Sequence, residues 1–147
     1  MSPRFSFRPA VEADFEPLLV IRVDVMREHL ERVFRYEPAR ARRIFRGHFD
    51  EGGMRAIEVA GVLAGCVRFA RADDCYRLDS LYLARIHHNT GLGAAVVAPL
   101  LAEADAARLP VRLEVLRGSK ADRFWERHGF VALGADAIET RYERPTP

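Results

Sequence analysis

The chain has 147 residues, 49% of them hydrophobic and 30% charged. That is enough for one domain over 1–147 with a real core, and too apolar for a disordered chain or a disulfide-stapled mini-protein. Its 23 basic and 21 acidic side chains leave a formal charge of +2, a balance that gives no strong pull toward nucleic acid or an anionic membrane.

The first residues, Met1 to Phe5, lack the apolar centre of a signal peptide. Phe5 to Arg8 alternates apolar and polar and predicts a short strand that Pro9 stops. Glu12, Ala13 and Asp14 open a helical segment, with carboxylates in the turn where the helix dipole favours them. Phe15, Leu18, Leu19, Arg22 and Val23 recur in it at helical spacing, and the pattern runs on through Leu30, Val33 and Phe34 until Pro38. A second helix follows, with Ala41, Ile44, Phe45 and Phe49 on one side, and ends at Gly52-Gly53.

Met54–Ala60 and Leu63–Ala70 read as a hairpin turning on Gly61-Val62, and Tyr76–Leu83 as a third strand. A helix runs from about Gly91 to Arg108, with either a kink expected at Pro99 or a helix tight enough at its start to tolerate it. Val111–Val115 alternates as a strand. Ser119, with Asp122 three residues on, is the expected N-cap of a helix carrying Phe124 and Trp125. Phe130–Leu133 and Ala137–Glu143 read as closing strands. The string predicts a mixed α/β or α+β domain. The longest apolar stretch, Gly91 to Ala102, is well short of the ~20 residues of a membrane span. Two cysteines, Cys66 and Cys75, are too few for a disulfide framework and fit a reducing, cytoplasmic location.

The chemistry-bearing stretch is His88-Asn89-Thr90-Gly91-Leu92-Gly93-Ala94, between a strand and a helix. Glycines there let the backbone approach a ligand, and the first helical N–H groups have no internal partner, which makes an anion site. A tight turn that merely packs the helix gives the same spacing. A P-loop would need Gly-Lys-Ser/Thr where Gly93-Ala94-Ala95 stands, and a dinucleotide fingerprint would need a third glycine near Val96.

Leu78-Asp79-Ser80-Leu81-Tyr82-Leu83, followed by His88-x-x-Gly91-x-Gly93-Ala94, resembles the acyl-CoA-binding region of the GNAT superfamily of N-acetyltransferases. Ala121-x-x-Phe124-Trp125, with Gly129-Phe130 beyond, is similar to a second family segment, at the right distance. The resemblance implies a mixed, splayed central sheet flanked by helices. Acetyl-CoA would lie between the strand ending at Leu83 and the strand from Val111 to Leu116. The pyrophosphate would sit on amides from Asn89 through Thr90, Gly91, Leu92 and Gly93 to Ala94, the pantetheine on main chain around Leu81, Tyr82 and Leu83, with Ser119 as a further cofactor contact.

Two positions depart from the family pattern. His88 stands where Arg or Gln is usual; His87-His88 also reads as an exposed loop pair. Trp125 stands where many relatives carry a Tyr that protonates the thiolate; an indole N–H donates a hydrogen bond and releases no proton. A thiol of pKa ~8.5 is a tolerable leaving group, so the missing acid slows the reaction by about 10²–10⁴-fold at most. Trp125 also reads as core packing, and Tyr82, Tyr36 or Tyr142 are alternative donors. The attacking amine must lose a proton, for which Asp79 is placed first and Glu114 second; each also reads as a strand carboxylate paired with Arg77 or Arg112. Since the first helices of the family usually form one wall of the acceptor pocket, Arg27, Glu28, His29 and Tyr36 are candidate substrate contacts, or else a solvated face. Arg32, Arg35, Arg40, Arg42, Arg43 and Arg46, partly offset by Glu31, Glu37 and Asp50, either form an ordinary charged surface or draw an acidic acceptor or the CoA 3′-phosphate.

The expectation is acetyl transfer from acetyl-CoA to a primary amine, small or protein-borne, by direct attack. No metal, nucleic acid or membrane takes part. The resemblance also implies a homodimer, with the last strands, Phe130 and Tyr142 included, as the interface. The rival is a GNAT-like module that binds acyl-CoA or a protein with little turnover.

Overall fold

The structure, a computed structural model, describes residues 3–33 and 35–147; Phe34, assigned above to the first helix, lies outside them. Strands β1 (Ser6–Pro9), β2 (Met54–Val59), β3 (Val62–Arg71), β4 (Tyr76–Leu83), β5 (Val111–Leu116), β6 (Val131–Ala135) and β7 (Glu139–Arg144) form one sheet in the order β1-β2-β3-β4-β5-β7-β6. Only β4 and β5 pair in parallel; the other neighbours are antiparallel. Helices α1 (Phe15–Val33) and α2 (Pro38–Asp50) cover one face, α3 (Leu92–Ala106) and α4 (Asp122–Arg127) the other. This is the mixed α/β sheet flanked by helices that the sequence implies.

Each face has its own core. Leu78, Val96, Leu100, Val111, Leu113, Trp125 and Phe130 are buried together on the α3/α4 side. Phe15, Leu18, Leu19, Phe45 and Cys66 are buried on the α1/α2 side, with the Phe15 and Phe45 rings stacked at 5.6 Å. The α1 stripe is the one the helical period selects. Its start is fixed by Asp14, which accepts the Val11 N–H at 2.8 Å and takes Arg8 through both carboxylate oxygens. The Arg8 guanidinium holds the Asp14 carboxyl below the ordinary carboxylate range.

Three local readings change. Pro9 ends β1 from inside it rather than stopping it, which an edge strand tolerates. The hairpin turns on Ala60-Gly61, not Gly61-Val62: both residues have positive φ, as a two-residue turn of matching twist demands. Ile44 faces solvent at 42% exposure, while Ala41 and Phe45 are buried and Phe49 packs edge-to-face on Phe15 of α1. α3 contains Pro99, as expected. Pro99 lies on the exposed side of the helix, where water can replace the lost backbone bond.

The β4–β5 ladder decides what the sheet can hold. It has two rungs, Tyr76 with Val111 and Arg77 with Arg112. Beyond them the strands part, and the β5-facing edge of β4 from Leu78 to Leu83 has no strand partner. Among the described residues no helix is long and apolar enough to cross a membrane.

Candidate active site

The open edge of β4 carries an irregularity that the sequence does not announce. The β3–β4 register slips between Cys66/Tyr82 and Arg68/Asp79, and Ser80, buried at the slip, has φ +53°. This is a β-bulge, and it changes which residues share a face. Leu78, Leu81 and Leu83 pack on the α3/α4 side, whereas Tyr82 packs on the α1/α2 side. Asp79, bonded to Arg68, and Tyr82, of opposite parity in the strand, thus both lie on the α1/α2 side of the sheet. Gly65 makes the bulge possible: a Cβ there would lie 2.0 Å from the Tyr82 carbonyl oxygen.

Beyond Leu83 a short 3-10 turn, Arg85–His87, leads into α3. Asn89 and Gly91 have φ +60° and +86°, so the chain turns sharply into the helix. The first backbone bond of the helix runs from the Ala95 N–H to the Gly91 carbonyl at 3.1 Å. The Gly93 and Ala94 amides engage no carbonyl among the described residues, and the Leu92 N–H has only a long contact, 3.4 Å, to Thr90 Oγ1. Gly91 is exposed, with nothing nearer than Pro3 at 3.8 Å to the place of a Cβ. Gly93 lies against Phe124 and Leu83, so the turn opens beside the divergence of β4 from β5. Unpaired amides at a helix start form a positive concavity suited to a diphosphate. His88 does not join it: its Nε2 is bonded to the Leu83 carbonyl at 2.8 Å.

The predicted residues fall into several places. Asp79 receives Arg68 Nη1 on Oδ2 at 2.9 Å, while Oδ1 is buried without a partner. Glu114 is paired with Arg77. The pairings expected for these carboxylates thus hold for Glu114; Asp79 takes Arg68 instead, and Arg112 goes to Asp74 and Glu143. Burial and the neighbouring Glu114 push the Glu139 carboxyl up, so two carboxylates share that stretch of β5 and β7. Trp125 is 7% exposed and packs edge-to-face with Phe124 and Phe130. Tyr142 donates its hydroxyl to Asp122 at 3.1 Å, Tyr82 receives Arg22 Nε at 3.3 Å, and Tyr36 lies under the Arg27 guanidinium.

Glu28 and Tyr36 line an open groove of about 610 Å³ between α1 and α2; His29 stands apart from it. Ser119 does not cap α4. Its Oγ accepts the Ala121 N–H at 3.1 Å, two residues before the cap position that Ala121 itself takes, and Asp122 is engaged by Tyr142. Arg42 and Arg46, from the basic group, are spent on Glu16 and on Glu12 and Asp50. Phe130 and Tyr142, expected at a dimer contact, are buried at 2% and 5%; the exposed apolar residues of the edge strand are Val131 and Leu133.

Two features were missed, the Ser80 bulge and Arg22. The only sequence signal for the second was a charged residue inside an apolar helical stripe.

A family model described as the acetyltransferase (GNAT) domain matches residues 22–142. Solved structures are similar over nearly the whole chain. A PaiA N-acetyltransferase from Thermoplasma acidophilum, in complex with coenzyme A, superimposes with a TM-score of 0.77 at 14% identity, covering 97% of this chain and 99% of its own. A histone acetyltransferase HPA2 and related acetyltransferase from Corynebacterium glutamicum gives 0.73 at 20% identity, with 100% and 98% covered. Ard1 from Thermoplasma volcanium gives 0.72 at 18%, with 97% and 98% covered. A search of the curated proteins found no match. With the splayed ladder, the bulge and the glycine turn in place, the chain belongs to the GNAT acetyltransferase domain family.

Proposed function

We propose that the protein transfers the acetyl group of acetyl-CoA to a primary amine. The observation that carries this reading is the pairing of free amides at the Gly91 turn with the unpartnered edge of β4 beside it. The diphosphate binds amides between Asn89 and Ala94, and the pantetheine pairs along β4 as an added strand would. The Leu83 carbonyl already serves His88, so the pairing uses Leu81 and Tyr82. The coenzyme A in the Thermoplasma structure supports this reading.

In the reaction the amine nitrogen attacks the thioester carbonyl carbon, the C–S bond breaks, and the thiolate leaves. Backbone N–H groups at the Ser80 bulge stabilise the oxyanion. Asp79 Oδ1, buried and unbonded, accepts a hydrogen bond from the incoming amine and then its proton. No enzyme nucleophile is used: burial pushes the Cys66 thiol up to about 12, and Cys75 is raised as well. Trp125 holds α4 against the core and donates no proton. The two free cysteines fit a cytoplasmic protein, and Val131 and Leu133 on the edge strand are the surface on which a homodimer would form.

The test is release of free thiol from acetyl-CoA with a panel of amines. Turnover with at least one amine is expected. Coenzyme A binding with no turnover on any amine would favour a binding module instead.

A further inference from the structure

Arg22 is the most buried arginine of the chain, 5% exposed. The exposed arginines around it are matched: Arg42 with Glu16, Arg46 with Glu12, and Arg85 with Asp24. Arg22 has no carboxylate within ion-pair distance among the described residues. It gives Nε to the Tyr82 hydroxyl at 3.3 Å and Nη1 to the Ala41 carbonyl at 3.5 Å, both long, and lies 5.9 Å from the Phe45 ring centre. A guanidinium has five N–H donors, and burying its charge without a counter-ion is costly. The arrangement calls for an anion that the described residues do not supply.

The place for it is a recess of about 50 Å³ between α1 and α2, lined by Arg22, Arg35, Tyr36 and Glu37 among others. That volume admits a group of carboxylate size.

A second observation on the same helix points the same way. His29 lies seven residues beyond Arg22, on the same side of α1 and about 10 Å along it. Arg32 Nη2 sits 2.6 Å from His29 Nδ1. Arginine only donates, so Nδ1 accepts and the ring proton is on Nε2, which is buried without a partner. Burial and Arg32 hold His29 below its ordinary value, hence neutral. Arg22 reaches Tyr82 near the end of β4, and Arg32 reaches the Gly118 carbonyl just after β5. α1 therefore roofs the divergence of the two strands, and its inner face offers donors. Asp79 Oδ1, on β4 beneath, offers the complementary acceptor for the amine.

We propose that the acceptor is an amine that also carries a carboxylate, of the amino-acid class, with the carboxylate held by Arg22 and a second oxygen-bearing group met by His29 Nε2–H. This rests on the acetyl-transfer reading above and names its substrate class.

The experiment measures kcat/KM for acetyl-CoA turnover with α-amino acids and ω-amino acids, each against the matching amine without the carboxylate, and with spermidine. At least one amino acid is expected to exceed its decarboxylated partner by about 100-fold or more, because leaving Arg22 without its anion penalises the partner. R22Q should remove that preference by raising KM for the amino acid while the KM for acetyl-CoA is unchanged. H29A should raise the same KM by about tenfold. Turnover of plain amines or spermidine at least as good as of the amino acids overturns the inference and leaves acetyl transfer standing. No turnover with any compound overturns both. If R22Q does not fold, the panel on the unaltered protein still decides.

Discussion

Arg68 holds one oxygen of Asp79 at 2.9 Å and leaves the other buried and unbonded. The carboxylate is thereby oriented by one oxygen and keeps an unused acceptor on the other, as a base that takes a proton from an amine requires. D79N keeps the shape and removes the basic oxygen. It should lower kcat/KM by about 10²–10⁴-fold with coenzyme A affinity unchanged. E114Q, which removes a carboxylate already paired with Arg77, should change kcat/KM by less than about tenfold. Steady-state kinetics on the two variants separates the two carboxylates. Equal losses would remove Asp79 from its assigned role.

Gly65 and Tyr82 approach too closely for any side chain, since a Cβ would lie 2.0 Å from the Tyr82 carbonyl oxygen, a backbone atom that cannot swing away. G65A should destabilise the protein by about 3 kcal/mol or more, at the upper end of overpacking costs. Urea unfolding measures it. G47A is the control, because nothing lies within 4 Å of a Cβ at Gly47.

How much of this was legible in the sequence depends on whether a pattern or a single torsion carries the information. β4 was read with its observed bounds because Tyr76, Leu78 and the apolar run after them fit a buried strand. α2 is legible through Ala41, Phe45 and Phe49 at helical spacing; Pro38, which reads in the sequence as the end of the first helix, stands in its first turn, where its fixed φ suits. The bulge was not legible: Ser80 adopts φ +53° because tertiary pairing with β3 imposes it, and serine is no signal of that. The hairpin turn was misplaced by one residue because Ala60 also takes a positive φ. Arg22 was read as one member of an apolar stripe. Its significance lies in what is absent around it, which only packing reveals. The Gly91 turn and the parted strands were the part of the site the sequence carried best.

Trp125 is wedged between Phe124 and Phe130. If packing is its function, W125F should leave kcat within a few-fold. W125A should cost about 3–5 kcal/mol of stability by opening a cavity. A loss of more than about 100-fold in W125F, with stability retained, would mean that the indole N–H acts on the reacting atoms.

The Arg8–Asp14 pair gives a pH signature. The folded-state pKa of Asp14 lies below its ordinary value because of Arg8 and, further, the Val11 N–H. A depressed carboxylate stabilises the fold above its unfolded pKa, and that contribution is lost as pH falls through the folded one. D14N should therefore lower Tm at pH 7. The gap to the unaltered protein should narrow as pH drops below about 3.9, the ordinary Asp value. Thermal melts across pH 2–7 check this. A gap independent of pH would assign the loss to packing rather than to charge.

The most direct measurement is calorimetric binding of coenzyme A and of pantetheine, which lacks the diphosphate, to the unaltered protein and to G91V. Valine is strained at φ +86° and should distort the turn that presents the amides. The account predicts that coenzyme A binds at least about 100-fold more tightly than pantetheine, and that G91V erases most of this difference while leaving pantetheine binding alone. Equal affinities for the two ligands, or full coenzyme A affinity in G91V, would contradict it.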